Sequence, residues 1–174
     1  MPHIFEGGHL REYQEHGFNW LYFLKKYGLK GILADDMGLG KTIQTIALVT
    51  KLKQDSKRPN RGVICLVVCP TSVVENWVNE FQRFAPMVKV REYTGINRKK
   101  VLEKLGLLTE VAVTSYNIAS RDISILGKIK WDLVVLDEAQ KIKNYETTTS
   151  KACKMLAADY RLALTGTPVE NRLS

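Results

Sequence analysis

Two short segments carry residue types that can act together on a phosphorylated ligand. The first is Asp35-Asp36-Met37-Gly38-Leu39-Gly40-Lys41-Thr42, set between an apolar run and a helical pattern. It meets the spacing G-x-x-x-x-G-K-[ST], except that Asp35 stands in the first Gly position. Gly38 and Gly40 let the backbone curl so that its N–H groups point inward at phosphate. The following helix adds its positive N-terminal end. Lys41 is suited to neutralise β- and γ-phosphates, and Thr42 to offer its hydroxyl to Mg2+. Asp36, Met37 and Leu39 complete the expected ATP-binding loop with Gly38, Gly40, Lys41 and Thr42. The plain alternative is a Gly-rich turn ahead of Lys-Thr, and the strand–loop–helix setting speaks against it.

The second segment is Asp137-Glu138, which directly follows the apolar run Asp132-Leu133-Val134-Val135-Leu136. Two adjacent carboxylates at the end of a buried strand are costly unless they bind something cationic. Beside a phosphate loop the cation is Mg2+. Asp137 is expected to hold it through water, and Glu138 to orient and polarise an attacking water. An exposed acidic loop entry is the alternative for these two residues taken alone.

Such groups need a scaffold that carries them to one place. Helix-like and strand-like segments alternate along the chain. Helices are expected over residues 10–27, 42–53, 73–84, 98–105 and 147–157. Strands are expected over 31–34, 63–69, 88–93, 111–114, 132–136 and 161–165. Residues 118–130 show no clear period and stay unassigned. This alternation implies βαβ units, an α/β fold with a mainly parallel sheet and helices on both faces. Ligands of such sheets sit at the C-terminal strand ends, which is where both segments fall.

The 174 residues make one domain, and 45% hydrophobic content is enough for a core, which excludes general disorder. No run of roughly 18 apolar residues suggests a membrane span, and no signal-peptide pattern opens the chain. Cys65, Cys69 and Cys153 form no C-x-x-C pair, so they read as buried thiols of a soluble, intracellular protein. The formal charge of +8 suits a polyanionic partner without demanding one. The basic loop over 51–61 reads as a solvated loop. Trp20 and Trp77 read as core residues, Trp77 sharing a helix face with Val73, Val74 and Phe81.

Taken in order, the motifs resemble those of the Swi/Snf-type (chromatin-remodeller-like) DNA translocases of helicase superfamily two. The matching blocks are Leu10-Arg11-Glu12-Tyr13-Gln14, the phosphate loop, and Val68-Cys69-Pro70-Thr71-Ser72 with Asn76-Trp77. They continue with Val113-Thr114-Ser115-Tyr116, DEAQKIKN at 137–144 and LTGTPVEN at 164–171. Gln140 stands where relatives often have His. The resemblance implies a RecA-like three-layer sandwich that uses ATP and Mg2+, residues 1–174 being the N-terminal lobe. It implies that Gln14 reads the adenine edge and that Gln140, Thr165, Gly166 and Thr167 couple the nucleotide state to DNA. Pro70, Thr71, Ser72, Thr114, Ser115 and Tyr116 would then lie along one strand of double-stranded DNA. For Gln14 the alternative is a solvated helix residue, for the hydroxyl segments strand-to-helix capping, and for Thr165 and Thr167 a closed turn.

Relatives continue into a second RecA-like lobe that supplies arginine fingers, so the chain is expected to be part of a longer motor and nearly inert by itself as an ATPase. Two other functions stay open. One is a strand-separating helicase or restriction-type motor. The other is a non-hydrolytic nucleotide- or DNA-binding module.

Overall fold

The computed structural model describes residues 31–34, 40–139 and 148–165. The helix expected over 10–27 lies outside them. Six strands form one sheet: β1 (Gly31–Ala34), β2 (Cys65–Cys69), β3 (Val90–Glu92), β4 (Val111–Ser115), β5 (Trp131–Leu136) and β6 (Ala158–Thr165). Their spatial order is β1-β6-β5-β2-β4-β3, and every pairing is parallel. The connecting helices are α1 (Lys41–Asp55), α2 (Val74–Phe84), α3 (Tyr116–Arg121), α4 (Ile123–Leu126) and α5 (Thr148–Met155). Short 3-10 turns cover Thr71–Val73 and Arg98–Lys104.

The order of the strands explains which face each helix takes. The steps from β1 to β2 and from β2 to β3 run one way across the sheet, and the later steps return. With a single crossover hand, outgoing helices must cover one face and returning ones the other. The core divides accordingly. Ile46 to Val49 of α1 and Val74, Trp77 and Phe81 of α2 pack on Cys65, Val67, Val111, Val113, Leu133 and Val135. Leu66, Val68, Ala112 and Val134 turn the other way, toward Ala119, Leu126 and Leu156. The continuous apolar run of β2 is thus a strand covered on both sides, its five residues all buried.

Local chemistry moved several boundaries. The β2 ladder starts at Cys65 rather than Val63, because the Ile64 N–H is taken by the Asp132 carboxylate at 2.8 Å. The strand expected over 88–93 is paired only over Val90–Glu92, and the helix over 98–105 is a 3-10 turn. The unassigned stretch contains the end of α3 and all of α4, which meet at Asp122. That carboxylate accepts from the Tyr93 hydroxyl at 2.7 Å and from Arg98 Nε at 2.6 Å, and these bonds hold it well below the usual carboxylate range. β6 begins at Ala158, three residues before the apolar pattern does.

Candidate nucleotide and nucleic-acid site

Parallel pairing brings the motif-bearing strand ends to one edge. Ala34, which leads into the phosphate loop, pairs with Thr165. Leu136, which leads into Asp137, pairs with Ala163 on one side and Val68 on the other. Cys69, which leads into Pro70, pairs with Ser115. The connections after neighbouring β2 and β5 leave toward opposite faces, which opens a crevice between those two strand ends.

Gly40 caps α1 with φ of 88°, a left-handed conformation that costs glycine little. Its carbonyl accepts from Gln44 N–H at 3.0 Å, starting the helix ladder. Lys41 is the first helical residue and is buried; Thr42 beside it is half-buried. A lysine buried at the helix end whose partial charge is also positive is unfavourable unless anions face it.

One anion is Asp137. Burial pushes its carboxyl above the ordinary range, while the Lys41 charge, the Trp77 indole and the Glu138 N–H act against that shift. Trp77 Nε1 donates to Oδ2 at 2.9 Å, and the Glu138 N–H donates to Oδ1 at 2.9 Å. The Asp137 N–H continues the sheet to the Val68 carbonyl at 2.8 Å, and its own carbonyl accepts from the Tyr116 hydroxyl. Glu138 has φ of 53°, a conformation disfavoured for a residue with a long side chain by about 1–3 kcal/mol. It sits half-buried at the same edge.

The donor set fits a magnesium–phosphate ligand. A hard divalent cation takes oxygen ligands. Asp137 offers a half-buried carboxylate whose two hydrogen-bond donors are both neutral, and Thr42 offers a hydroxyl. Among the described residues, no ion pair closes on Asp137. Gln14, Asp36, Met37, Gly38, Leu39, Gln140, Gly166 and Thr167 lie outside the described residues, and of Thr165 only its strand position is described.

The segments read as a DNA track separate into two kinds. Thr71 and Ser72 are exposed just beyond β2, and neither the turn they form nor α2 has a side-chain cap. Ser115 instead caps α3, accepting from Ile118 N–H at 3.3 Å. The Thr114 side chain corrects the expectation of a DNA-facing hydroxyl: it is fully buried and donates to the Tyr93 carbonyl at 2.8 Å. Tyr116 turns its hydroxyl to Asp137, and burial keeps that hydroxyl protonated far above neutrality.

Trp77 is a core residue, as its helix face indicated, yet it also reaches the site. The signal available in the sequence was its polar indole edge, which a buried position must satisfy. All three cysteines are buried, and burial pushes the Cys69 and Cys153 thiols up to about 12 and about 11. Such thiols are poor nucleophiles and poor metal ligands at neutral pH.

Comparison with known proteins adds the lineage. The model of the SNF2-related domain matches residues 13–174. The chain is 42% identical over 173 residues to the TATA-binding protein-associated factor MOT1 of Saccharomyces cerevisiae, covering 94% of this chain and 9% of that protein. It is 40% identical over 176 residues to the human SWI/SNF-related matrix-associated actin-dependent regulator of chromatin subfamily A member 1, covering 99% of this chain and 17% of that protein. The Sulfolobus solfataricus SWI2/SNF2 ATPase core in complex with dsDNA superposes with a TM-score of 0.86 at 39% identity, over 99% of this chain and 35% of that one. The three-layer α/β sandwich is therefore the RecA-like arrangement of that ATPase core.

Proposed function

The chain belongs to the SNF2-related domain family, and from that premise we propose that it is the N-terminal, ATP-binding lobe of a motor that tracks along double-stranded DNA. The observation that carries this reading is the meeting of Lys41 and Asp137. They lie far apart in the chain, and at the C-terminal edge of the sheet Lys41 is buried, Asp137 is half-buried, and the Lys41 charge acts on the Asp137 carboxyl. Among the described residues no ion pair closes on either, and a buried cation beside a half-buried carboxylate makes a site that a magnesium nucleotide completes.

In this reading Lys41 draws the β- and γ-phosphates to the start of α1. Thr42 and Asp137 hold Mg2+, which when bound neutralises charge developing on the phosphoryl oxygens. Glu138 accepts the proton of the attacking water. Gln14 reads the adenine edge, and Gln140, Thr165, Gly166 and Thr167 relay the loss of the γ-phosphate. Pro70, Thr71 and Ser72 present backbone and the exposed Thr71 and Ser72 hydroxyls to DNA phosphates, while the Ser115 and Tyr116 hydroxyls are engaged within the fold. Backbone contacts carry no sequence information, so binding depends on salt and little on base sequence.

Half of the machinery belongs to a second lobe. The chain spans 9% and 17% of the two relatives and 35% of the structural neighbour. Charge stabilisation by an arginine finger is worth about 10³–10⁵ in rate. This chain alone is therefore expected to bind Mg-ATP and to release phosphate barely above background, with or without DNA.

The test has two arms. In this chain, Lys41→Ala should weaken Mg-ATP binding by about 100-fold or more, because a charged hydrogen-bond partner of two phosphates is lost. In a protein with both lobes, Glu138→Gln should keep ATP binding and lower DNA-stimulated turnover by about 10²–10⁴. Parent-like affinity in the first variant, or parent-like turnover in the second, would overturn the assignment.

A further inference from the structure

We propose that Trp77 and Tyr116 are positioning residues for Asp137: they fix its carboxylate for the metal and fasten it to the two segments that follow β2 and β4. This rests on the magnesium-nucleotide reading above, and it assigns work to two side chains that reading does not use.

Packing explains why an aromatic ring sits at residue 77. It does not explain the indole. The Trp77 ring lies 6.2 Å from that of Phe81 in an apolar core that has no need of a polar N–H. Burying an N–H without an acceptor costs about 1–3 kcal/mol, so the indole needs a partner. It finds one in Asp137 Oδ2 at 2.9 Å, on a different strand. The Glu138 N–H takes Oδ1. One donor on each oxygen sets the rotation of the carboxylate plane, yet leaves each oxygen a second lone pair. Neither donor carries charge, so the carboxylate is oriented without being neutralised. An arginine or lysine at 77 would have oriented it and quenched it.

Tyr116 acts on the backbone of the same residue. Its hydroxyl donates to the Asp137 carbonyl, while the Asp137 N–H is held by Val68. Both peptide units flanking Asp137 are thereby pinned, one to β2 and one to the start of α3. The left-handed Glu138 follows immediately. Partners of this second rank commonly carry ten- to a hundredfold of a site's metal affinity.

The two donors also share a location in the chain. Trp77 lies on α2, the helix that Thr71 and Ser72 lead into. Tyr116 opens α3, directly after the capping Ser115. Displacement of either segment by a bound phosphate backbone must move a hydrogen bond to Asp137.

The experiment measures Mg2+ dependence rather than turnover. This chain is titrated with Mg2+ at a fixed concentration of a fluorescent N-methylanthraniloyl-ATP. Tyr116→Phe keeps its ring and loses one donor; Trp77→Phe keeps an aromatic ring but loses the donor together with part of the indole volume, which the Trp131→Phe control shares. Each should raise the Mg2+ concentration for half-maximal response by about tenfold or more, with metal-free nucleotide affinity unchanged. Trp131→Phe is the control. Trp131 is as deeply buried, but its indole donates at 3.0 Å to the Leu126 carbonyl, away from the site. It should leave the Mg2+ requirement at the parent value.

A parent-like Mg2+ requirement in both Trp77→Phe and Tyr116→Phe overturns the proposal. So does an equal shift in Trp131→Phe, which would mean that any lost indole bond loosens the fold. If Trp77→Phe does not fold, Tyr116→Phe decides alone. Lys41→Ala in the same assay separates the two levels. Lost binding there with parent-like Phe variants refutes only the positioning role, whereas parent-like binding there removes the nucleotide reading and the positioning role together.

Discussion

Strand β5 carries a carboxylate near each end, and the two are treated in opposite ways. Asp132, at its start, accepts from both terminal guanidinium nitrogens of Arg58, Nη1 at 2.9 Å and Nη2 at 2.5 Å, as well as from the Ile64 N–H. Asp137, just past its end, receives an indole N–H and a backbone N–H. Both pay a burial cost. At Asp132 a cation offsets it and closes the N-terminal side of the sheet. At Asp137 both hydrogen-bond donors are neutral, and in the proposed reading that leaves its charge for a ligand. The difference between framework and site here lies in the charge of the donors, not in the acid itself.

The strongest way to break this comparison is to remove the charge at the C-terminal end. Asp137→Asn should abolish Mg2+-dependent nucleotide binding, by more than about 100-fold, since an amide is a poor ligand for a hard cation. Stability should stay within about 1 kcal/mol, because the lost desolvation cost offsets one mismatched hydrogen bond. Mg2+ titration and chemical denaturation measure the two quantities. A large loss of stability would show that Asp137 is framework after all.

The opposite outcome is expected at the other end. Arg58→Ala leaves Asp132 buried with only the Ile64 N–H. The half-exposed guanidinium limits the loss to about 1–3 kcal/mol. Nucleotide affinity of the folded protein should not change. A shift in affinity would mean that the two ends of β5 are coupled.

Three hydroxyls sharpen the contrast at smaller scale. Ser115→Ala removes a helix cap and should cost about 1 kcal/mol of stability. Thr71→Ala with Ser72→Ala should cost little stability but weaken duplex DNA binding roughly two- to tenfold per lost phosphate contact. Equal stability losses would return both segments to plain capping.

The smallest effect concerns pH. Asp122 is held below the ordinary carboxylate range, chiefly by its Arg98 bonds. Its contribution to stability is therefore present above its unfolded pKa and is lost as pH falls through the folded value. Asp137 is shifted upward by burial, so ionising it costs stability as pH rises. In denaturation series from neutral pH into the acid range, Asp122→Asn should flatten the acid loss. A steeper acid loss in that variant would reverse the assigned sign.

What the sequence disclosed follows from the range of each interaction. The apolar run ending at Cys69 and the one ending at Leu136 announced buried parallel strands, because a strand covered on both faces needs apolar residues at every position. The helix start at Lys41 and the strand-end position of Asp137-Glu138 were legible because their signals are local. The two short helices α3 and α4 were not, since six and four residues are too few to display a helical period. Asp132 read as part of an apolar strand, and its partner Arg58 as part of a solvated basic loop. Only the fold brings those two together. Trp77 was legible as core from its helix face, but nothing near it in sequence names Asp137 as the acceptor of its indole. Thr114 misled because a hydroxyl at a strand end is equally suited to phosphate and to a neighbouring carbonyl.

Among the described residues, strand β1 lies at one edge of the sheet, and its partner is β6, the last of the described strands to be made. Strands β2, β4 and β5 can pair with one another as soon as they exist. The strand that leads into the phosphate loop cannot, and on a translating ribosome it waits on the order of ten seconds for its neighbour. The loop that is written first is thus assembled last. Long-range parallel pairing of this kind is slow to form and leaves an edge exposed meanwhile. Nucleotide binding then reports that β6 has been made and paired: a chain stopped before β6 should already have its inner sheet, yet remain unable to grip ATP.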